Sequence, residues 1–154
     1  MRRQCGYDQE SKAACLKCVK SDPKAQEADA VGIATIIINC VIKESKKVGA
    51  KMSKLARYHR EAGDDDHKEL VALYKKCSKI YSDEAHKDLS RAITLLERGD
   101  KDGASFAVNE ANAKQTSCYT SFESDYKNSK VFHMIKVYAA LVEAALEVID
   151  HLPH

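Results

Sequence analysis

The chain is short of everything that interrupts a helix or builds a sheet. It holds two prolines, six glycines and no tryptophan in 154 residues. A proline inside a helix removes a backbone hydrogen bond and clashes with the preceding turn. Here Pro23 and Pro153 both fall at element ends, so four long stretches carry no interior breaker. Strand signals are scarce as well. The run Ile36-Ile37-Ile38 is the one place that reads as a strand, and it lies inside a longer helical pattern with nothing to pair with. No apolar run approaches the roughly 18 to 20 residues needed to span a membrane. Charge of one sign is missing too: 25 basic and 23 acidic side chains leave a net charge of +2. That balance gives no electrostatic argument for nucleic acid. The sequence has no glycine-rich phosphate loop, nucleophile elbow or convincing pair of carboxylates, so nothing argues for an enzyme or a cofactor. The start, Met1-Arg2-Arg3-Gln4-Cys5, lacks an apolar h-region. A secreted protein with this sequence is therefore expected to be a mature form carrying an added initiator Met.

What the chain does have is cysteine. Cys5, Cys15, Cys18, Cys40, Cys77 and Cys118 are spread through a sequence of otherwise ordinary composition. A helical domain of this length buries an adequate core without covalent help, so cysteine at this density points to an oxidising, extracytoplasmic setting. The alternative is a cytosolic protein whose thiols serve as small buried apolar groups.

Turn signals divide the chain at Asp22-Pro23, at Gly63-Asp64-Asp65-Asp66, from Gly99-Asp100 through Gly103, and from Asp125 to Ser129. Between them, apolar residues recur at alternating three- and four-residue steps. Val31, Ala34, Ile38, Val41, Val48, Met52 and Leu55 mark the first long stretch. Leu70, Leu73, Cys77, Ile80, Leu89, Ala92 and Leu96 mark the second. Ala104, Ala107, Ala111, Cys118 and Phe122 mark the third, and Ile135, Tyr138, Val142, Ala145, Ile149 and Leu152 the fourth. The pattern predicts an all-α protein: an antiparallel up-down four-helix bundle over residues 24–154, preceded by a short helical hairpin over residues 1–23, in one disulfide-stabilised domain.

In that arrangement Cys77 and Cys118 occupy core positions on the second and third helices, with the intervening turn roughly midway between them. Folding back there brings them to similar heights, as a bridge requires when its α-carbons must approach within about 7 Å. The loop so closed is long, and the bond is expected to stabilise by roughly 4 kcal/mol in the chain-entropy model. Cys5 and Cys15, ten residues apart, are placed to close the N-terminal hairpin.

Other candidates are weaker. His59, His67, His86, His133, His151 and His154 are scattered without a metal-ligand spacing, and Cys15-x-x-Cys18 lacks the parallel sheet that redox motifs of this kind sit on. A zinc site from Cys5, Cys15, Cys18 and Cys40 would have one close pair and no second, so no metal is assigned. Asp64-Asp65-Asp66 reads as a solvated loop that favours the following helix N-terminus rather than as a calcium or basic-patch site. Lys43, Lys46, Lys47, Lys51 and Lys54 make the polar face of the first long helix basic, an arrangement open to an acidic cleft and equally the default for a bundle helix.

Cys15-Leu16-Lys17-Cys18-Val19-Lys20-Ser21-Asp22-Pro23, followed by Ala28-Asp29 and Gly32-Ile33-Ala34, resembles the signature of the plant invertase and pectin methylesterase inhibitors. Leu73 to Tyr81 around Cys77 is similar to that family's third-cysteine segment, Arg98-Gly99-Asp100 to its inter-helix turn, Ser117-Cys118 to its fourth cysteine, and Leu146 to Pro153 to its apolar C-terminal end. The likeness runs through nearly the whole chain. It implies a bundle with two disulfides and no catalytic activity. It also implies an extracellular protein of the plant cell wall that binds an enzyme one to one and covers its active-site cleft. The targets so implied are pectin methylesterase and acid invertase, with neither nucleic acid nor membrane as partner.

Three departures from the family pattern bear on the target. Invertase inhibitors commonly carry Pro-Lys-Phe after the inter-helix Gly-Asp, a tripeptide that enters the invertase cleft; here Lys101, Asp102 and Gly103 stand there, without the aromatic. The acidic pair that often follows the fourth cysteine is missing, since the chain reads Cys118-Tyr119-Thr120-Ser121-Phe122. Cys18 and Cys40 lie outside the four-cysteine plan. If the hairpin folds straight back at Pro23, Cys40 is roughly 25 Å along the next helix at 1.5 Å per residue. Cys18 is then only about one turn from the corner, so unpaired thiols are favoured over a third bridge. Pectin methylesterase becomes the first expected target, through exposed residues of the middle helices: Lys79, Asp83, Lys87, Asn109, Asn112 and Thr116. Acid invertase, through Lys101, Asp102 and Gly103, is the alternative, and a non-inhibitory pollen, storage or signalling protein on the same scaffold is the second.

Overall fold

Helix caps set where each element begins and ends. In the computed structural model, which describes residues 9–63 and 67–153, α1 runs Gln9–Ser21. It stops ahead of Pro23, which disfavours helical backbone at the residue before it. Ser21 Oγ donates to the Cys18 carbonyl at 2.6 Å, and the Lys24 N–H donates to Asp22 Oδ1 at 2.8 Å. A 3-10 turn, Ala25–Glu27, follows. Asp29 then caps α2, Ala30–Glu61, by accepting the Gly32 N–H at 2.8 Å. Gly63, at φ 64°, supplies the left-handed residue just beyond the end of α2.

The next rod is continuous. α3, Lys68–Lys79, passes through a π turn, Ile80–Glu84, into α4, Ala85–Glu97. It ends in a Schellman motif: the Gly99 N–H donates to the Leu96 carbonyl at 3.0 Å, and the Asp100 N–H to the Leu95 carbonyl at 2.9 Å. Gly99 sits at φ 79°, which an L side chain adopts only with strain. Asp100 also starts α5, Lys101–Asp125, by accepting the Gly103 N–H at 2.8 Å. The expected turn from Gly99 to Gly103 is thus shorter than its residue types suggest. Lys101, Asp102 and Gly103 form the first turn of α5, because the Asp100 carboxylate satisfies a backbone donor there. Ser129 caps α6, Lys130–Asp150, through the Phe132 N–H at 3.1 Å.

The described residues are all-helical, with no strand among them. Ile36, Ile37 and Ile38, the one strand-like run, lie buried within α2. α2 packs against α6 and against the α3–α4 rod, α5 against α4 and α6, and α1 lies along α6 and α2. The apolar stripes meet in one core, whose largest fully enclosed side chains include Tyr81, Tyr138, Phe122, Ile37 and Met52. Each such aliphatic or aromatic side chain contributes roughly 1.5 to 3 kcal/mol by leaving water.

Three positions on the predicted stripes differ. Val31 is 38% exposed, and Leu55 and Leu73 are half-buried rather than enclosed. Val31 belongs to the first turn of α2. Leu73 gives way to Tyr74, which stacks on Phe122 with ring centroids 5.7 Å apart. An aromatic contact of that kind outweighs a simple leucine period.

Candidate partner-binding faces and the disulfide frame

The π turn is the irregular feature nearest the residues singled out for partner binding. Across it, α2 comes unusually close: Ser78 Oγ donates to the Gly49 carbonyl at 2.9 Å and shares a hydrogen bond with Ser53 Oγ. A Cβ at Gly49 would run into the Ser82 side chain and approach its backbone nitrogen to 3.1 Å. Glycine is required there by close approach, since its backbone is ordinary helix.

The same turn aims Tyr81 inward. Its hydroxyl donates to Gln115 Oε1 at 2.8 Å, and Gln115 Nε2 donates to Asn112 Oδ1 at 3.0 Å. A polar chain therefore runs from the core of the π turn through buried Gln115 to half-buried Asn112 on α5. Beside it, buried Asp88 accepts from Lys114 Nζ at 2.7 Å and lies 3.6 Å from an Arg91 nitrogen. Tyr138 stands edge-on to Tyr81 with centroids 5.2 Å apart, and its hydroxyl has no hydrogen-bond partner among the described residues. Burial raises both phenols well above their ordinary range, helped for Tyr81 by Tyr138 and for Tyr138 by the Asp88 carboxylate.

Lys79, Asp83 and Lys87 are all exposed, at four-residue intervals along the α3–α4 rod. Asn109 and Thr116 are exposed on α5, with Asn112 between them. Local bonds hold these side chains: Asn109 Nδ2 donates to the Ser105 carbonyl at 3.0 Å and Thr116 Oγ1 to the Asn112 carbonyl at 3.2 Å. α4 and α5 pack together, so the two sets belong to adjoining elements.

The expected residues of the α5 start divide. Asp102 is exposed, but Lys101 turns back: its Nζ donates to the Leu152 carbonyl at 2.8 Å and to the Asp150 carbonyl at 3.3 Å. It thereby satisfies acceptors left open at the C-terminal end of α6. Gly103 is half-buried, its N–H held by Asp100.

Two disulfides are placed in full. Cys77 and Cys118 join α3 to α5 with α-carbons 6.0 Å apart, both wholly buried. Cys18 and Cys40, expected as unpaired thiols, are instead joined, with α-carbons 6.1 Å apart. The straight fold-back at Pro23 does not occur. Eight residues, 22–29, separate the end of α1 from the start of α2, so Cys40 is only the eleventh residue of its helix. With that connector, Cys18 lies against the second turn of α2, its Sγ 3.7 Å from the Ile36 carbonyl oxygen. The bridge leaves neither sulfur as a thiolate ligand. Cys15 is also disulfide-bonded; the expected Cys5–Cys15 pairing involves Cys5, which lies outside the described residues, as do Asp64 to Asp66.

Sequence reasoning missed Asp88, whose place on a buried stripe beside Leu89 was the available signal, and Phe106, which is 63% exposed on α5. It also scattered the histidines, whereas His59 and His67 stack with centroids 4.9 Å apart.

A family model, plant invertase/pectin methylesterase inhibitor, matches residues 1–146. The chain belongs to that family. Members are inhibitors rather than enzymes, and typically extracellular. Among the described residues no helix is long and apolar enough to cross a membrane. A search among curated proteins finds no match. Family membership alone leaves pectin methylesterase and invertase both open as targets.

Proposed function

We propose that this family member binds one to one to a plant cell-wall carbohydrate-active enzyme, pectin methylesterase in the first instance, and blocks its active-site cleft. It would act in the apoplast as one domain, an antiparallel up-down bundle over residues 24–154 behind an N-terminal hairpin over 1–23. The observation that carries the preference is the engagement of Lys101 with the end of α6. The cation that would lead an invertase plug is already committed to its own fold, and the aromatic of that plug is absent. The exposed Lys79, Asp83, Lys87, Asn109 and Thr116, with Asn112 anchored from the core through Gln115, supply a polar contact surface on packed helices. Preorganised helices lose little freedom on docking, so more of the contact energy appears as affinity.

Acid invertase is the second reading, and one observation favours it. Phe106 is exposed on α5 three residues after Gly103, about one helical turn on, as a binding anchor would be. A non-inhibitory pollen, storage or signalling protein is the remaining alternative. Titrating purified pectin methylesterase and acid invertase side by side with this protein, at mildly acidic pH, separates the three. Near-stoichiometric inhibition of the first enzyme alone supports the proposal, inhibition of the second alone transfers it to invertase, and inhibition of neither leaves the non-inhibitory reading.

A further inference from the structure

Charge is divided unevenly over a chain that is nearly neutral. α2 alone carries seven lysines and arginines against two glutamates, more than the net charge of +2 of the whole sequence. Part of that excess borders an open groove where α1 and α6 meet α2. The groove floor is apolar, made by Ala14, Val137, Leu141 and the Cys18–Cys40 bridge, and Lys17, Lys43 and Lys47 line it. Glu44 is the one carboxylate among the lining residues. Lys17, Ala14 and Val137 also line a second depression further along α1 and α6, bordered by His133 and Lys136, so the two adjoin and are taken together as one channel.

The convergence of these cations has a structural cause. Lys17 precedes Cys18, and Lys43 and Lys47 stand three and seven residues after Cys40 on exposed positions of α2. The bridge that joins those cysteines holds the end of α1 against α2 and thereby fixes Lys17 beside the pair. Lys43 and Lys47, one helical turn apart, are spaced by about 6 Å. The arrangement is an open strip with an apolar floor and exposed lysines on both sides. A linear polymer whose every unit bears a carboxylate, and whose ring faces are weakly apolar, fits such a strip.

We propose that this channel binds a polyuronate chain, an anionic polysaccharide of acidic sugars. It would hold the protein on the wall matrix through helices other than the α4 and α5 that carry Lys87, Asn109 and Thr116. The choice of a polyuronate among polyanions rests on the cell-wall reading above.

The test is retention on immobilised polygalacturonate in a rising NaCl gradient. Wild-type protein is expected to bind in about 50 mM salt and to elute as the Debye length falls below about 8 Å. K17E/K43E/K47E should weaken binding about tenfold or more, while K75E/K76E/K127E, the same change of charge placed elsewhere, should weaken it less than about threefold. Helical circular dichroism confirms that each variant folds. Absence of wild-type retention, or equal losses in the two triple variants, overturns the proposal. Equal retention on poly-glutamate overturns it in favour of an acidic protein partner. Enzyme inhibition measured on the same proteins is independent. Polymer binding without inhibition of either enzyme would count against the inhibitor reading alone, and inhibition without polymer binding against the channel alone.

Discussion

The two placed disulfides sit in contrasting halves of the molecule. Cys77–Cys118 is wholly enclosed and joins α3 to α5; the α3–α4 rod and α5 also share the buried Tyr81–Gln115 bond and the pairing of buried Asp88 with exposed Lys114. Cys18–Cys40 lies at a groove floor and joins α1 to α2, where the packing beneath is apolar and the charges stand outside. One half fixes its geometry with internal hydrogen bonds around a π turn, the other by covalently tying a short helix to a long one. A buried network specifies how helices seat against each other, because every unsatisfied member is costly. The bridge at the groove floor ties α1, which packs mainly along α6, to α2 as well.

Breaking the bridges tests this contrast with the largest effects. With sequence separations of 41 and 22 between their cysteines, the chain-entropy model gives about 4 kcal/mol for the core bridge and about 3 kcal/mol for the groove bridge. In urea titrations, C77A/C118A should lower global stability by the larger amount. C18A/C40A should expose α1 to proteolysis before the bundle unfolds; simultaneous loss of α1 and bundle would erase the distinction between the halves.

Within the network, Lys114→Ala leaves the Asp88 carboxylate buried without its closest cation and should destabilise by about 2 kcal/mol. Measured against it, an alanine at Lys47 on the rim should shift stability by less than about 0.5 kcal/mol.

The paired tyrosines sharpen the point further. Tyr81→Phe removes a bond to Gln115 and should cost about 1 kcal/mol, whereas Tyr138→Phe removes a hydroxyl with no partner among the described residues and should be neutral or stabilising. Thermal melts of the two variants, opposite in sign or clearly unequal, are the expected result.

Alkali probes both at once. Unfolded tyrosine ionises near pH 10, while burial keeps Tyr81 and Tyr138 protonated beyond it. The unfolded state then releases protons that the folded state retains, so their contribution is complete below pH 10 and is lost as pH climbs above it. Tyrosinate absorbance should show these two groups ionising together with loss of helical signal, and ionisation ahead of unfolding would contradict the enclosure.

The residue patterns that announced helices were strong because breakers are few and caps are explicit: Asp29, Asp100 and Ser129 each accept a backbone donor where a turn residue meets an apolar period. The π turn left no comparable mark, since Gly49 and Ser82 look alike in any helix until two rods approach. The Cys18–Cys40 bridge was misjudged for a related reason. Its feasibility depends on the path of residues 22–29, which no periodicity records. The surface residues Lys79, Asp83 and Lys87 were readable as off-stripe, whereas the retraction of Lys101 onto the end of α6 depends on a contact 49 residues away.

A polar face on the α3–α4 rod and α5 is proposed to meet pectin methylesterase. The measurement that tests it most directly is the inhibition curve of K79E/D83K against wild-type protein and Lys101→Ala, on pectin methylesterase, with folding checked by circular dichroism. Inhibition should weaken about tenfold or more in the double charge reversal, as for removal of matched charges at an interface, and stay nearly unchanged in Lys101→Ala. An unchanged curve for K79E/D83K, or loss of inhibition in Lys101→Ala alone, would contradict it.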